Sequence, residues 1–227
     1  PGRGMSTPAT PWLQQQWQAL QRSWQLHRLA DAQYRFLFEP PPANEWVALD
    51  CETTGLNPRS DEIVSIGAVR IVGERILTSE RLELLVRPQK GVRADSVRIH
   101  RLRSKDLEDG LECREAMHRL LHFIGSRPLV GYYLEFDVAM LNRALAPLLG
   151  TGLPQQQVEI SGMYYDYKLA QIQHQAHLGS PQIDLRFDTL MQDLGLPQRD
   201  AHDALNDAVM AALAFIKLRR LLHLKQV

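Results

Sequence analysis

The chain has 227 residues, 44% of them hydrophobic, which is enough for one sizeable core and does not require a second large domain. Its 26 lysines and arginines balance 26 aspartates and glutamates, which excludes a strong global field for polyanions or membrane surfaces and leaves any such grip to a local feature. Two cysteines, no apolar run of the roughly 18 residues a membrane helix needs and no signal-like start predict a soluble protein of a reducing cytoplasm with no membrane partner.

In chain order, Pro1-Gly2-Arg3-Gly4 before Met5 reads as a cloning remnant and is set aside. Within residues 11–37, Leu13, Trp17, Leu20 and Trp24 recur at three- and four-residue steps among Gln and Arg, which predicts an amphipathic helix. Pro40-Pro41-Pro42 ends it, so residues 5–43 read as helix and Pro-rich linker, and residues 44–227 as the main domain. The tryptophan stripe either packs on that domain as an extra layer or offers a surface for self-association or a protein partner. Strands are predicted over residues 46–51, 63–72 and 81–86, and the short turns between them imply antiparallel neighbours. A helix over 114–125, an apolar strand within 128–134 and a helix over 136–149 follow. Further helices are expected over 163–174, 185–194 and 204–224, with loops at 150–157 and 177–182. The sum is an α/β sheet with helices on both faces.

Three acidic elements stand out. Asp50 and Glu52 close the first strand just before Thr53-Thr54-Gly55, and residues two apart on a strand point to one side. The carboxyl end of a strand in an open α/β sheet is a common ligand site, although a solvated strand end explains an isolated pair equally well. Asp137 opens the helix after the strand within 128–134, where the helix dipole alone favours an acid by about 0.3–1 kcal/mol. His202 and Asp207 are five apart, about 140° around one helix, so they reach one spot only if Asp203 is the N-cap and His202 stays in the loop before it. Taken singly, a histidine before a helix is usually a surface residue.

In order and spacing these residues resemble the DnaQ-like, DEDDh family of 3′-5′ exonucleases. The D-x-E-T-T-G motif matches Asp50 to Gly55, the F-D motif Phe136-Asp137, and the H-x4-D motif His202 to Asp207. The resemblance covers about residues 45–220, and Asp166 with the 185–195 segment is similar to the family's stretch between its last two motifs. It implies a ribonuclease-H-like mixed five-stranded sheet flanked by helices on both faces, behind an N-terminal helical extension. It also implies that Asp50, Glu52, Asp137 and Asp207 hold two divalent ions, with His202 as general base.

The chemistry agrees with the residue types. Clustered carboxylates repel by several kcal/mol per pair at an effective dielectric near 20, so cations must neutralise them. Oxygen-only ligands favour Mg²⁺ or Mn²⁺, and a pair of such ions stabilises both the attacking and the leaving oxygen of a phosphodiester. An imidazole with an ordinary pKa near 6.5 can take a proton from water at neutral pH.

By the same resemblance, Thr53, Thr54, Gly55 and Leu56 grip the terminal nucleotide, Leu56 wedging against the last base unless it belongs to the core. His100, in Arg98-Ile99-His100-Arg101-Leu102, resembles the family's I-H-G-I segment near the substrate path, with a surface histidine as the alternative. Tyr133 and Phe136 complete the expected substrate-binding set. Where the family reads G-H-N this chain reads Gly131-Tyr132-Tyr133, so nucleotide grip is expected to differ, the tyrosines either stacking on bases or packing.

The expected function is 3′-5′ hydrolysis of terminal phosphodiester bonds of single-stranded DNA to nucleoside monophosphates. A stand-alone enzyme is expected, because the long tail by which the polymerase III epsilon subunit joins its polymerase is not seen. Two alternatives stay open. One is an oligoribonuclease-like enzyme for short RNA 3′ ends, which the neutral net charge favours. The other is a non-catalytic module binding nucleic acid or protein.

Overall fold

Strand β1 (Glu45–Thr53) is the central strand of a five-stranded sheet in the computed structural model, which describes residues 20–91, 96, 98, 101–173, 182–198 and 203–222. Strands β2 (Ile63–Val72) and β3 (Arg75–Leu85) continue from it as an antiparallel meander, while β4 (Leu129–Gly131) and β5 (Gln157–Glu159) run parallel to β1 on its other side, giving the order β3-β2-β1-β4-β5. The β2–β3 link is only two residues, Gly73-Glu74, and Gly73 takes a positive φ of 61° that a tight hairpin favours. Strand β3 starts six residues before the predicted residue 81, because its first half carries Thr78, Ser79 and Glu80 on an exposed edge and shows no apolar alternation. Strand β5 begins at the last residue of the segment read as a loop and runs two residues past it: three residues with no buried side chain are too short to leave a period-2 signal.

Both faces of the sheet are covered. Along β1, Val47, Leu49 and Cys51 join β2's Ile66 and Ala68 against helices α1 (Cys113–Ile124) and α2 (Leu134–Leu149). On the other face, Ala48 of β1 and Val69 and Ile71 of β2 pack with α3 (Ile160–Gln173), α4 (Phe187–Asp193) and α5 (Ala204–Leu221). Burial on two sides explains why β2 reads as a near-continuous apolar run. No helix among the described residues is long and apolar enough to cross a membrane.

The N-terminal segment departs from the single long helix expected. Residues 20–27 are helical, but the chain turns at 28–31, and Asp31 caps a separate 3-10 helix (Ala32–Phe38) by accepting from the backbone N–H of Gln33 at 3.0 Å. The extra layer on the domain is made by Tyr34 and Leu37 of this short helix, both fully buried, while Leu20 and Trp24 remain 63% and 57% exposed. Leu13 and Trp17 lie outside the described residues.

One glycine sets the spacing between α5 and the sheet. Gly67 of β2 is the register partner of Asp50, on the face that α5 covers. A Cβ there would lie 2.1 Å from the carbonyl carbon of Ala204 and 2.2 Å from the backbone nitrogen of Leu205, so the helix start touches the strand backbone. Gly67→Ala is expected to destabilise the fold by about 1–3 kcal/mol through overpacking. Thermal unfolding should show a drop of several degrees; an unchanged Tm would show that α5 does not depend on this contact.

Candidate active site

Strand β1 delivers Asp50 and Glu52 to the α5 face, at the point where its pairing with β2 shifts register between Glu52 and Thr53. Helix α5 then supplies Asp207 from its first turn. Asp203 is the N-cap, with φ −123° and its side chain accepting from the Asn206 N–H at 2.8 Å, so the helix begins at Ala204 and Asp207 faces the strand. Carboxylate oxygens of Asp50, Glu52 and Asp207 all lie within 4.8 Å of one another. Asp137 arrives from the opposite layer, in the first turn of α2. It is 4% exposed, and its Oδ1 accepts from the Cys51 N–H at 3.0 Å, which ties the helix to the strand between the two acids of β1. His202 and His100 lie outside the described residues.

The electrostatics are those of closely crowded acids. Burial first, then the charges of Asp137, Asp207 and Glu52, hold the Asp50 carboxyl well above its ordinary range. Burial and the neighbouring Asp207 and Asp203 push Glu52 up to about 7. Burial likewise raises Asp137 to about 8, although the Cys51 N–H works in the opposite direction. The donor set is all oxygen, closely spaced and able to bind as anions, which fits a hard divalent cation. Such an ion would offset the repulsion, about 4 kcal/mol for a pair 4 Å apart at an effective dielectric near 20.

The residues expected to touch substrate separate into two groups. Thr54 is 4% exposed and committed to the fold: its Oγ1 accepts from the Glu62 N–H at 2.9 Å and its carbonyl from Ser96 Oγ at 2.6 Å. The Thr53 hydroxyl is likewise used, donating to the Gly55 carbonyl at 2.7 Å. Gly55 admits Asp61, whose Oδ2 would sit 2.5 Å from an added Cβ. The turn so closed presents Leu56 at 83% exposure, so the core alternative for Leu56 is wrong. Phe136 is half-buried against the core. Tyr132 packs, its ring 4.6 Å from Phe187 and its hydroxyl donating to the Leu185 carbonyl at 2.9 Å, whereas Tyr133 is 61% exposed.

Sequence reasoning passed over two residues near this centre. Gly67, in the interior of a strand, carried a readable sign of close backbone approach. Glu159 carried none, because it lies just past the segment read as loop, in a strand of three residues that is too short to leave a period. Its carboxylate accepts from the N–H groups of Tyr133 and Leu134 and from Ser161.

The model of the RNase_T family, described as exonuclease, matches residues 47–215. The chain is 28% identical over 172 residues to a PolC-type DNA polymerase III of Thermotoga maritima, covering 76% of this chain and 12% of that protein. It is 27% identical over 175 residues to the DNA polymerase III subunit epsilon of Rickettsia felis, covering 76% of this chain and 72% of that subunit. Its fold matches the zinc-bound Escherichia coli exonuclease I–single-stranded DNA complex with a TM-score of 0.64 at 18% identity, over 79% of this chain and 41% of that one.

The raised carboxyls have a consequence for stability. Between about pH 5 and pH 8 the folded, metal-free protein keeps protons at Glu52 and Asp137 that the unfolded chain has released, so stability is greatest below this window and falls as pH rises through it. The Tm of metal-free protein is expected to fall from about pH 5 to about pH 8, and added Mg²⁺ or Mn²⁺ to raise it most at the upper end. A Tm indifferent to both pH and metal would contradict this account of the cluster.

Proposed function

This chain belongs to the RNase_T exonuclease family and is a nuclease, and we propose that it removes nucleotides one at a time from the 3′ end of single-stranded DNA, releasing nucleoside monophosphates. One observation carries the proposal: acids from a central strand and from the last helix meet within 4.8 Å, with a further acid bonded to the backbone between the first two. Asp50, Glu52, Asp137 and Asp207 would hold two divalent cations, Mg²⁺ or Mn²⁺. Bound there, such ions supply charge stabilisation for the attacking and leaving oxygens of a phosphodiester.

The protein's own groups have separate tasks. His202 accepts the proton of the attacking water, for which an imidazole titrating near neutrality suits better than a carboxylate held by cations. Asp203, as N-cap, fixes where the helix starts and so which way Asp207 faces. The exposed Leu56 wedges against the terminal base, and Tyr133, also exposed, offers a ring for stacking. Thr53, Thr54 and Gly55 act through the shape of the turn, since both threonine hydroxyls are used within it. In this reading His100 contributes to substrate binding, as the resemblance of residues 98–102 implies. The DNA-polymerase relatives and the single-stranded-DNA complex of the structural neighbour support DNA over short RNA.

With Mn²⁺, the wild-type protein should convert a 5′-labelled single strand into a descending ladder, and Asp50→Ala should be inactive. His202→Ala is expected to lose on the order of 10²–10⁴-fold in turnover, the usual contribution of a positioned general base. Undiminished cleavage by Asp50→Ala would overturn the site, release of the 5′ label as a mononucleotide at the outset, with no ladder of intermediate lengths, would overturn the polarity, and faster cleavage of dinucleotide RNA than of DNA would favour the oligoribonuclease-like reading.

A further inference from the structure

We infer that Glu159 is a positioning residue of this centre, setting both the metal-binding Asp137 and the exposed Tyr133 through the first turn of α2; this rests on the reading of the site as a metal-dependent nuclease centre. Glu159 ends the edge strand β5, with Gly131 of β4 as its register partner. Its carboxylate gathers four donors. Oε1 accepts from the Tyr133 N–H at 3.0 Å, from the Ser161 N–H at 3.0 Å and from Ser161 Oγ at 2.8 Å, and Oε2 accepts from the Leu134 N–H at 2.9 Å. One negative group therefore joins the starts of two consecutive helices, α2 and α3, where unpaired N–H groups and the helix dipole both favour an anion.

Helix α2 depends on this outside help for a local reason. Its N-cap is Tyr133, which makes no capping bond of its own, unlike the Ser, Thr, Asp or Asn usual at that position. Tyr133 also holds φ 52°, ψ 35°, a left-handed conformation that a bulky L-residue rarely adopts and that persists only where its surroundings enforce it. Glu159 enforces it by binding the N–H groups on both sides of the Tyr133 α-carbon. One helical turn further on, Asp137 bonds to the Cys51 N–H. The setting of that turn about the helix axis therefore decides whether Asp137 reaches β1 and which way the Tyr133 ring points.

The test uses wild-type protein, Glu159→Ala and Glu159→Gln. In metal-free protein, amide hydrogen exchange at residues 133–137 is expected to accelerate in Glu159→Ala while β1 and β2 stay protected. Mn²⁺ affinity by calorimetry and turnover of single-stranded DNA should each fall about 10–100-fold, the range for residues that orient metal ligands. Glu159→Gln keeps one acceptor oxygen and should fall between Glu159→Ala and wild type. Mn²⁺ affinity of folded Glu159→Ala equal to wild type overturns the inference. If Glu159→Ala does not fold, Glu159→Gln decides in the same way, weaker Mn²⁺ binding supporting the role and unchanged binding overturning it. Wild-type protein that binds Mn²⁺ yet cleaves no DNA sinks the nuclease reading alone, and the Mn²⁺ comparison still decides the role of Glu159.

Discussion

Mutual repulsion among crowded carboxylates, one buried and three half-buried, is the constraint around which this molecule is arranged. Asp50, Glu52 and Asp137 all have carboxyls raised by loss of solvent, with the neighbouring acids adding to the effect at Asp50 and Glu52. At neutral pH the crowding costs stability, and the Cys51 N–H bond to Asp137 offsets only part of it. The stabilisation comes from elsewhere, from two apolar layers on opposite faces of the sheet that pack β1 against the helices carrying the other acids. A centre that is unfavourable alone and favourable with a cation is suited to binding one, because the fold has already met the cost of bringing the ligands together.

The acids reach one spot from two directions, and different contacts control each. Helix α5 comes down on the sheet face, and its distance from β1 and β2 is set by the missing side chain of Gly67. Helix α2 lies in the other layer and reaches the end of β1 because β4, which feeds it, runs parallel and adjacent to β1. The bond from the Cys51 N–H to Asp137 joins the two approaches. Side chains from both layers converge where β1 runs on past its last pairing with β4 at Ala48, near the carboxyl ends of the strands where open α/β sheets bind ligands.

The Tyr132-Tyr133 pair, where the resembled family has His-Asn, divides its work in this fold. Tyr132 is taken into packing against Phe187, and Tyr133 is turned out to solvent by its left-handed backbone. The departure in sequence thus leaves the acids in place and puts an exposed aromatic ring just before α2, as the turn after β1 puts out Leu56. With no net charge on the chain, affinity for a polyanion has to come from such local surfaces and from cations at the acidic cluster.

The sequence alone determined the features whose cause is local. Two-residue alternation placed Asp50 and Glu52 on one side of a strand, the spacing of His202, Asp203 and Asp207 required a helix start at Ala204, and the apolar periods marked most of the helices and the central strands. Tertiary structure decided what depends on neighbours distant in the chain. The break at Asp31 that buries Tyr34 and leaves Trp24 exposed, and the three-residue β5 that exists only because β4 offers it a parallel edge, leave too little periodic signal to read. So do the Thr54 contacts with Glu62 and Ser96 and the four donors gathered by Glu159, because a hydrogen bond between remote segments leaves no mark in either of them until the chain has folded.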